Sequence, residues 1–527
     1  MASDDSHINL VDMSRMQSIP KTLPRHIGPA STFPSLQPLS SVLRTRLFYS
    51  QEMTVGRLAI VAIYLGIMLF ASLFKNNLFT NSKRAGYVAM SQVPLVFALA
   101  TKNNIIGMFA AVGYEKLNFF HRFVGRILVL LVNFHSFGYF YRWQLEGTFT
   151  SSMRQPSHIW GVLGFAAINF VYLSSFGFMR KRFHTLFFVF HFVGFSLFLV
   201  AIYKHQPIMI PYVFAACGLY GLDRVILRSI KTRFTKATIR ALPELNATHI
   251  QIPGINAGWR AGQHVRVQVL SKSMGWVGCF EVHPFTVASV SESEEGMVLI
   301  CQDVGDWTRK LYNLASAGIA AAEKGGEVGR EVRLMVEGPY GGLGCTVVSS
   351  YSAALLIAGG SGITFALSAA QHLLNCEVKG QNQVEVLHVV WIIKDPASVC
   401  PLIPTLTSLI RQAQCSPMSN LTVNVSIYYT GTSRASPKTL AMLDTIHLGG
   451  LEMRPNRPDI ASVITETIDQ TVKPNRGLAS GKDETRYQGM IIAVCGPAGL
   501  GSSVEAGVGK VDWARKRSVG GVEVCEE

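Results

Sequence analysis

A chain of 527 residues exceeds one ordinary domain, and only 15% charged beside 49% hydrophobic residues argues against a wholly soluble protein. The net charge of +15 is no nucleic-acid signature, because the sequence lacks a basic stripe interleaved with aromatics and many Lys and Arg flank apolar segments. Composition divides the chain near residue 235, beyond which apolar runs shorten to strand length, Gly becomes frequent and charges spread throughout.

Residues 1–52 carry Ser, Pro and scattered charges with no apolar core, so they read as a disordered cytosolic tail rather than a signal peptide. Six apolar stretches follow, roughly 56–74, 87–112, 119–141, 159–178, 183–203 and 207–227, each near the length that crosses a bilayer as a helix. Six crossings put both termini on one side. Arg44, Arg46 and Arg57, then Lys102, Lys116 and Arg122, then Arg180-Lys181-Arg182, then Arg224, Arg228, Lys231 and Arg233 make that side cytosolic, while Lys75, Lys83 and Arg84 on the first outer loop run against the rule. The expected bundle spans 53–228.

Strand-like runs at 247–253 and 264–270, separated by Gly and Asn turns, predict a small antiparallel barrel within 229–346. Runs at 353–358, 384–393, 421–429 and 490–494 alternate with helical patterns and predict a parallel α/β sheet within 347–527, with 473–488 as a flexible insertion. Of nine cysteines only Cys217 lies in the apolar half, and no CxxC pair occurs, so free thiols in a reducing compartment are expected. The Asn-x-Ser/Thr sites at Asn246, Asn420 and Asn424 fall on the cytosolic side and should carry no glycan.

His121 and His135 lie on the third stretch, and His191 and His205 on the fifth, at the same spacing. Fourteen residues of helix leave two side chains about 40° apart and roughly 21 Å apart along the axis. The two stretches run in the same direction, so His121 falls level with His191 and His135 with His205. Ionisable groups at membrane depth are costly, and paired imidazoles suit the axial positions of a six-coordinate haem iron that exchanges electrons without binding substrate. Interfacial or core histidines are the alternative for each one singly, and the repeated register favours two b-type haems. His184 reads as structural or near-haem, and His158 as interfacial.

The tetrad His283-Pro284-Phe285-Thr286 closes the expected barrel after Gly262-Gln263-His264. Gly338-Pro339-Tyr340-Gly341, Gly359-Gly360-Ser361-Gly362-Ile363-Thr364 and Cys495-Gly496-Pro497 follow in order. With these residues the chain resembles, over about 85–525, the ferric reductase and NADPH oxidase superfamily, whose cytosolic half resembles ferredoxin-NADP reductase. The resemblance implies an FAD-binding barrel and an NADPH-binding α/β domain. It places Thr286 against the flavin ring and His283 and Phe285 near the isoalloxazine and ribityl chain. Val304-Gly305-Asp306-Trp307-Thr308 resembles a second flavin segment, in which Thr308 meets the pyrophosphate or, alternatively, caps a helix. The glycine-rich turn follows a strand and opens a helix, as a pyrophosphate site requires. Cys495 is expected to position the nicotinamide, or else to be a buried strand-end thiol. Lys394, Arg434 and Arg457 are candidates for the extra phosphate of NADPH, with solvated cations as the alternative.

Three departures stand out. Asn456 precedes Arg457-Pro458 where the family often has Gly. Relatives continue past an acidic pair like Glu526-Glu527 to an aromatic that covers the flavin, and many fungal-type relatives carry an extra amino-terminal crossing behind a signal peptide; a differently covered flavin or a shortened sequence is therefore expected.

The implied activity is electron transfer from cytosolic NADPH through FAD, the inner and the outer haem to a ferric or cupric chelate. That describes a ferric-chelate reductase of the plasma membrane, with the vacuole as the alternative and an iron permease or oxidase partner left open. The flavin takes two electrons together and returns them singly, so no protein nucleophile or acid-base pair is required. The rivals are a superoxide-producing NADPH oxidase, against which the short loops after the third and fifth crossings count, and a degenerate non-catalytic scaffold.

Overall fold

The structure, a computed structural model, describes residues 42–43, 53–77, 81–110, 112–322, 329–344, 346–415, 420–431, 449–472 and 487–527. Nearly all of the expected amino-terminal tail, the insertion at 473–486 and Arg434 lie outside the described residues.

Among the described residues the first half is built on six longer helices, α1 (Val55–Leu73), α2 (Lys83–Ala100), α3 (Tyr114–Leu145), α4 (Pro156–Ser174), α5 (His184–His205) and α6 (Ile210–Gly221), with short helical turns between them. A π-type turn, Leu222–Leu227, carries α6 on to Lys231. Among the described residues α1, α3, α4, α5 and the run Pro207–Lys231 that contains α6 are long and apolar enough to cross a membrane, and α2 is the exception. Its Lys83, Arg84, Gln92 and Pro94 lower its hydropathy, and it ends at Ala100 rather than running to 112. It nevertheless belongs to the bundle: Ala89, Met90 and Val93 are buried with Val132, Ile168 and Phe198 in one core. Arg84, which ran against the positive-inside pattern, has a structural task. Its guanidinium donates to Ala71 O (2.6 Å) and Phe74 O (2.9 Å), satisfying carbonyls that the end of α1 leaves orphaned. Large apolar side chains such as Ile63, Phe70 and Phe214 face outward, as lipid allows and water does not.

The second half begins at once with β1 (Thr232–Leu242), followed by β2 (Ala247–Ile252), β3 (His264–Val269), β4 (His283–Thr286), β5 (Met297–Gln302), α7 (Asp306–Ala322) and β6 (Arg330–Tyr340). These strands form one antiparallel six-stranded sheet in the order β4-β3-β6-β1-β2-β5. A bridge between Val287 and Leu299 brings its two edges together, so the sheet is nearly a closed barrel. Burial alternates along β3, whose Val265, Val267 and Val269 fill the barrel core.

The third unit comprises β7 (Ala353–Gly359), α8 (Ile363–Val378), β8 (Val386–Ile393), α9 (Ile403–Cys415), β9 (Thr422–Tyr429), β10 (Leu451–Pro455), α10 (Ile460–Val472), β11 (Met490–Cys495), α11 (Ala498–Lys510) and β12 (Val522–Glu526). All strand pairs are parallel, in the order β10-β9-β8-β7-β11-β12. Helices cover both faces, so central β7 is buried at every residue and reads as a continuous apolar run rather than an alternation. Strand order reverses between β7 and β11, which opens a crevice at their carboxyl ends.

Candidate functional site

The bundle holds two imidazole pairs. Ring centroids of His121 and His191 are 6.4 Å apart, and those of His135 and His205 also 6.4 Å. Two metal–nitrogen bonds of about 2 Å plus half a ring on each side require about 6 Å, so each pair can hold one metal ion between its rings. The other ring nitrogens are all committed. Nδ1 of His121, His135 and His205 lies 3.0, 3.0 and 2.7 Å from the carbonyls of Val96, Ser82 and Ser157. His191 Nδ1 lies 3.1 Å from Ser175 Oγ, whose own proton goes to Val171 O. The three carbonyls, and the Ser175 oxygen whose proton is already given to Val171 O, can only accept, so each Nδ1 carries the proton and each Nε2 keeps its lone pair.

Backbone glycines make room for the outer pair. A Cβ on Gly86 would stand 2.7 Å from the His135 ring, and one on Gly161 2.7 Å from the His205 ring. Between the helices lies a cavity of about 190 Å³ lined by both histidines and both glycines. His184, exposed at the start of α5, contacts Phe187 and belongs to neither pair.

At the lip of the barrel the register divides the HPFT tetrad. His283 and Phe285 stand opposite Val267 and Val265 and lie 4.4 and 5.9 Å from the Trp307 ring. Pro284 and Thr286 stand opposite Arg266 and His264 on the other face. Thr308 is a helix cap: its hydroxyl accepts from the Val304 and Gly305 amides, each at 3.0 Å, and donates to Gly305 O. Those two amides and that hydroxyl are therefore occupied within their own loop.

The glycine-rich turn and Cys495-Gly496-Pro497 meet at the switch point. A Cβ on Gly362 would fall 2.1 Å from Cys495 O, so only glycine permits the approach of the two turns. Burial, helped by Glu527 and Glu526, pushes the Cys495 thiol up to about 11, so it is protonated at neutral pH and no nucleophile. Lys394 follows β8 and Arg457 follows β10; both are exposed, and Thr430 and Gly431 bond back to Ile393 and Lys394, drawing the strand ends together. Asn456 has φ +72, so it adopts the left-handed conformation that the glycine expected there would supply.

Three family models match in order: "Ferric reductase like transmembrane component" at 85–202, "FAD-binding domain" at 231–343 and "Ferric reductase NAD binding domain" at 351–508. The chain belongs to the ferric reductase superfamily. It is similar to Ferric reductase transmembrane component 6 of Saccharomyces cerevisiae (24% identity, 74% of this chain, 54% of that one). Ferric/cupric reductase transmembrane component 2 of the same yeast is 28% identical over 53% of this chain and 38% of its own. Ferric reductase transmembrane component 1 of Schizosaccharomyces pombe is 23% identical over 76% and 74%. The chain thus spans about half the length of the first of these curated relatives and under two fifths of the second. Among solved structures, a flavohemoglobin from Malassezia yamatoensis aligns over 86% of this chain and 98% of its own at 14% identity, with a TM-score of 0.37.

This member of the ferric reductase superfamily is a multi-pass membrane protein whose bundle and soluble units meet at a charged junction that sequence reading missed. The π-type turn buries Asp223, which accepts from the Asn103 amide and side chain at 2.9 Å each and pairs with Arg228 at 3.1 Å. Arg228 and Lys102 both approach Glu337 of β6, at 3.8 and 3.7 Å, and Glu337 accepts from the Tyr340 hydroxyl at 2.8 Å. Burial, reinforced by Arg266 and Arg228, lowers the Lys102 amine to about 7 despite Glu337. The first turn of α3 adds Glu115 to His264 (3.2 Å) and Lys116 to Glu527 (2.8 Å). Partners separated by 411 residues in sequence leave no periodic signal; only unexplained charges at helix ends hint at them. His121 lies six residues beyond Glu115, so the contact of the barrel lip with α3 is about 9 Å along the helix from the inner pair.

Proposed function

We propose that this chain moves electrons from NADPH on the cytosolic side of the plasma membrane to ferric or cupric chelates on the other side, with FAD and two haems b as resident cofactors. The observation that carries the reading is the four bare Nε2 atoms in two facing pairs. Among the described residues no group of three or more His, Cys, Asp or Glu could hold a metal ion, and each imidazole pair offers two nitrogens only, so a haem, which brings its own ring nitrogens to the iron, would fit these sites. His121 with His191 would hold one haem and His135 with His205 the other. The tautomer-fixing carbonyls orient the rings, and Gly86 and Gly161 keep the outer cavity open.

Pro284, Thr286 and His264 offer the flavin a lip next to α3, while at the switch point the Gly362 turn would meet the pyrophosphate of NADPH and the Cys495 turn its nicotinamide. Lys394 and Arg457 supply cations for its extra phosphate. A flavin bound here would supply the conversion of a two-electron donor into single electrons, and haem iron held by the imidazole pairs would supply one-electron exchange. The protein's own contribution is positional: the Cys495 thiol keeps its proton, and no side chain has to act as nucleophile or base. Short links between α3 and α4 and between α5 and α6 leave the outer cavity near the surface, which favours a soluble chelate as acceptor.

Anaerobic mixing of the purified protein with NADPH and ferric nitrilotriacetate tests the reading. The expected result is two ferrous ions formed per NADPH consumed; oxidation of NADPH only when dioxygen is admitted, with superoxide formed, would replace it by the oxidase reading.

A further inference from the structure

His158, read from sequence as interfacial, lies on the lining of the outer cavity near the start of α4. Its Nδ1 lies 2.8 Å from Ser152 O, so that nitrogen carries the proton and Nε2 keeps a lone pair, to which no described residue bonds. The ring packs at a tilt of 37° against Trp143, with centroids 4.7 Å apart. Trp143 lies 5.6 Å from Tyr139, and Tyr139 5.0 Å from His135. His135, Tyr139 and Trp143 recur every four residues, so one face of α3 carries a continuous file of rings that ends on His158. Lys83 and Gln206 line the same cavity and give it a polar, cationic wall.

An imidazole fixed by its Nδ1 hydrogen bond, with Nε2 open and at the far end of ring contacts from the outer pair, is a ligand for iron or copper. We propose that His158 is the acceptor-docking residue: its Nε2 takes an exchangeable coordination position of an incoming ferric or cupric complex while one electron arrives from the outer pair. The inference rests on the outer pair being the electron exit. One imidazole–metal bond forms on arrival and breaks on release. One NADPH, losing a hydride equivalent, reduces two Fe(III) to Fe(II) or two Cu(II) to Cu(I) and leaves NADP and a proton, and His158, Trp143 and Tyr139 end unchanged. Complexes with no position to exchange, such as ferricyanide, gain nothing from His158.

The test uses the full-length holoprotein and His158→Gln. In the oxidised protein, without turnover, titration with cupric ion should give one nitrogen-ligated copper signal by electron paramagnetic resonance and quench tryptophan emission. His158→Gln should abolish both, and Trp143→Phe should remove most of the quenching while keeping the copper signal. In turnover, His158→Gln should raise KM for cupric ion and ferric nitrilotriacetate by about tenfold or more, with a far smaller change for ferricyanide. Equal losses for all acceptors, no change for any, or an altered haem spectrum in His158→Gln would each overturn the proposal, the last by making His158 a haem-side residue. A wild-type protein that lacks haem or fails to reduce ferricyanide with NADPH would instead overturn the parent reading.

Discussion

The bundle and the parallel-sheet unit bury their residues in opposite ways. Around β7 both faces are closed, and Ala353 to Ala358 have no exposure at all. Along α5 only a minority of residues is buried, and side chains such as Leu197 and Val200 face outward. The sheet is therefore specified by packing throughout its volume, whereas the bundle is specified by few contacts: a thin core, Arg84 on the end of α1, and four histidines anchored to carbonyls or a serine. Substitution should separate the two regimes.

The largest contrast is in stability. Leu356→Ala in β7 should cost about 2–5 kcal/mol in unfolding of the soluble unit, because the closed sheet cannot collapse around the cavity. Ile63→Ala on the outward face of α1 should cost less than about 1 kcal/mol, since it loses few protein contacts. Thermal unfolding followed by flavin release and by bundle helicity checks both.

Next come the two kinds of glycine. Gly362→Ala forces apart the turns at the switch point and should lower NADPH-driven flavin reduction by about a hundredfold while dithionite still reduces the bundle. Gly161→Ala pushes on the His205 ring and should do the reverse, leaving NADPH-driven flavin reduction intact and weakening or losing the outer haem signal. Rapid-mixing absorbance at flavin and haem wavelengths distinguishes them. If both variants lost the same step, the division of labour between the halves would be wrong.

The junction shows itself through pH. The Lys102 amine is held at about 7 in the folded protein, far below its ordinary value of 10.5. The unfolded chain therefore holds more protons between these values, and the Lys102 contribution makes stability rise with pH from about 7 to about 10 and fall away toward acid. Lys102→Met should flatten that part of the stability–pH profile and leave the profile below pH 6 unchanged in slope.

What was legible in the sequence follows the same contrast. The strand runs beginning at 247, 264, 353 and 490 appeared within a few residues of their places because burial imposes a period or a continuous run. The histidine pairs were legible because equal spacing on two parallel helices fixes equal heights. The second crossing was overextended because the apolar residues 105–110 continue the composition of α2 past the break at 101–104, where Asn103 turns to meet Asp223. The division of HPFT between two faces was hidden because it depends on the register with β3, and β12 was missed because the pairing that makes it a strand comes from β11. Arg228 and Glu337 come together only when the barrel docks on the bundle.

The dithionite-reduced minus oxidised spectrum of the purified protein, with haem counted per chain, tests the central claim most directly. Two b-type haems per chain are expected, one of them lost or made high-spin in His135→Ala and the other in His121→Ala. Absence of haem, or a haem signal that neither substitution alters, would contradict the account and leave the imidazole pairs as features of packing alone.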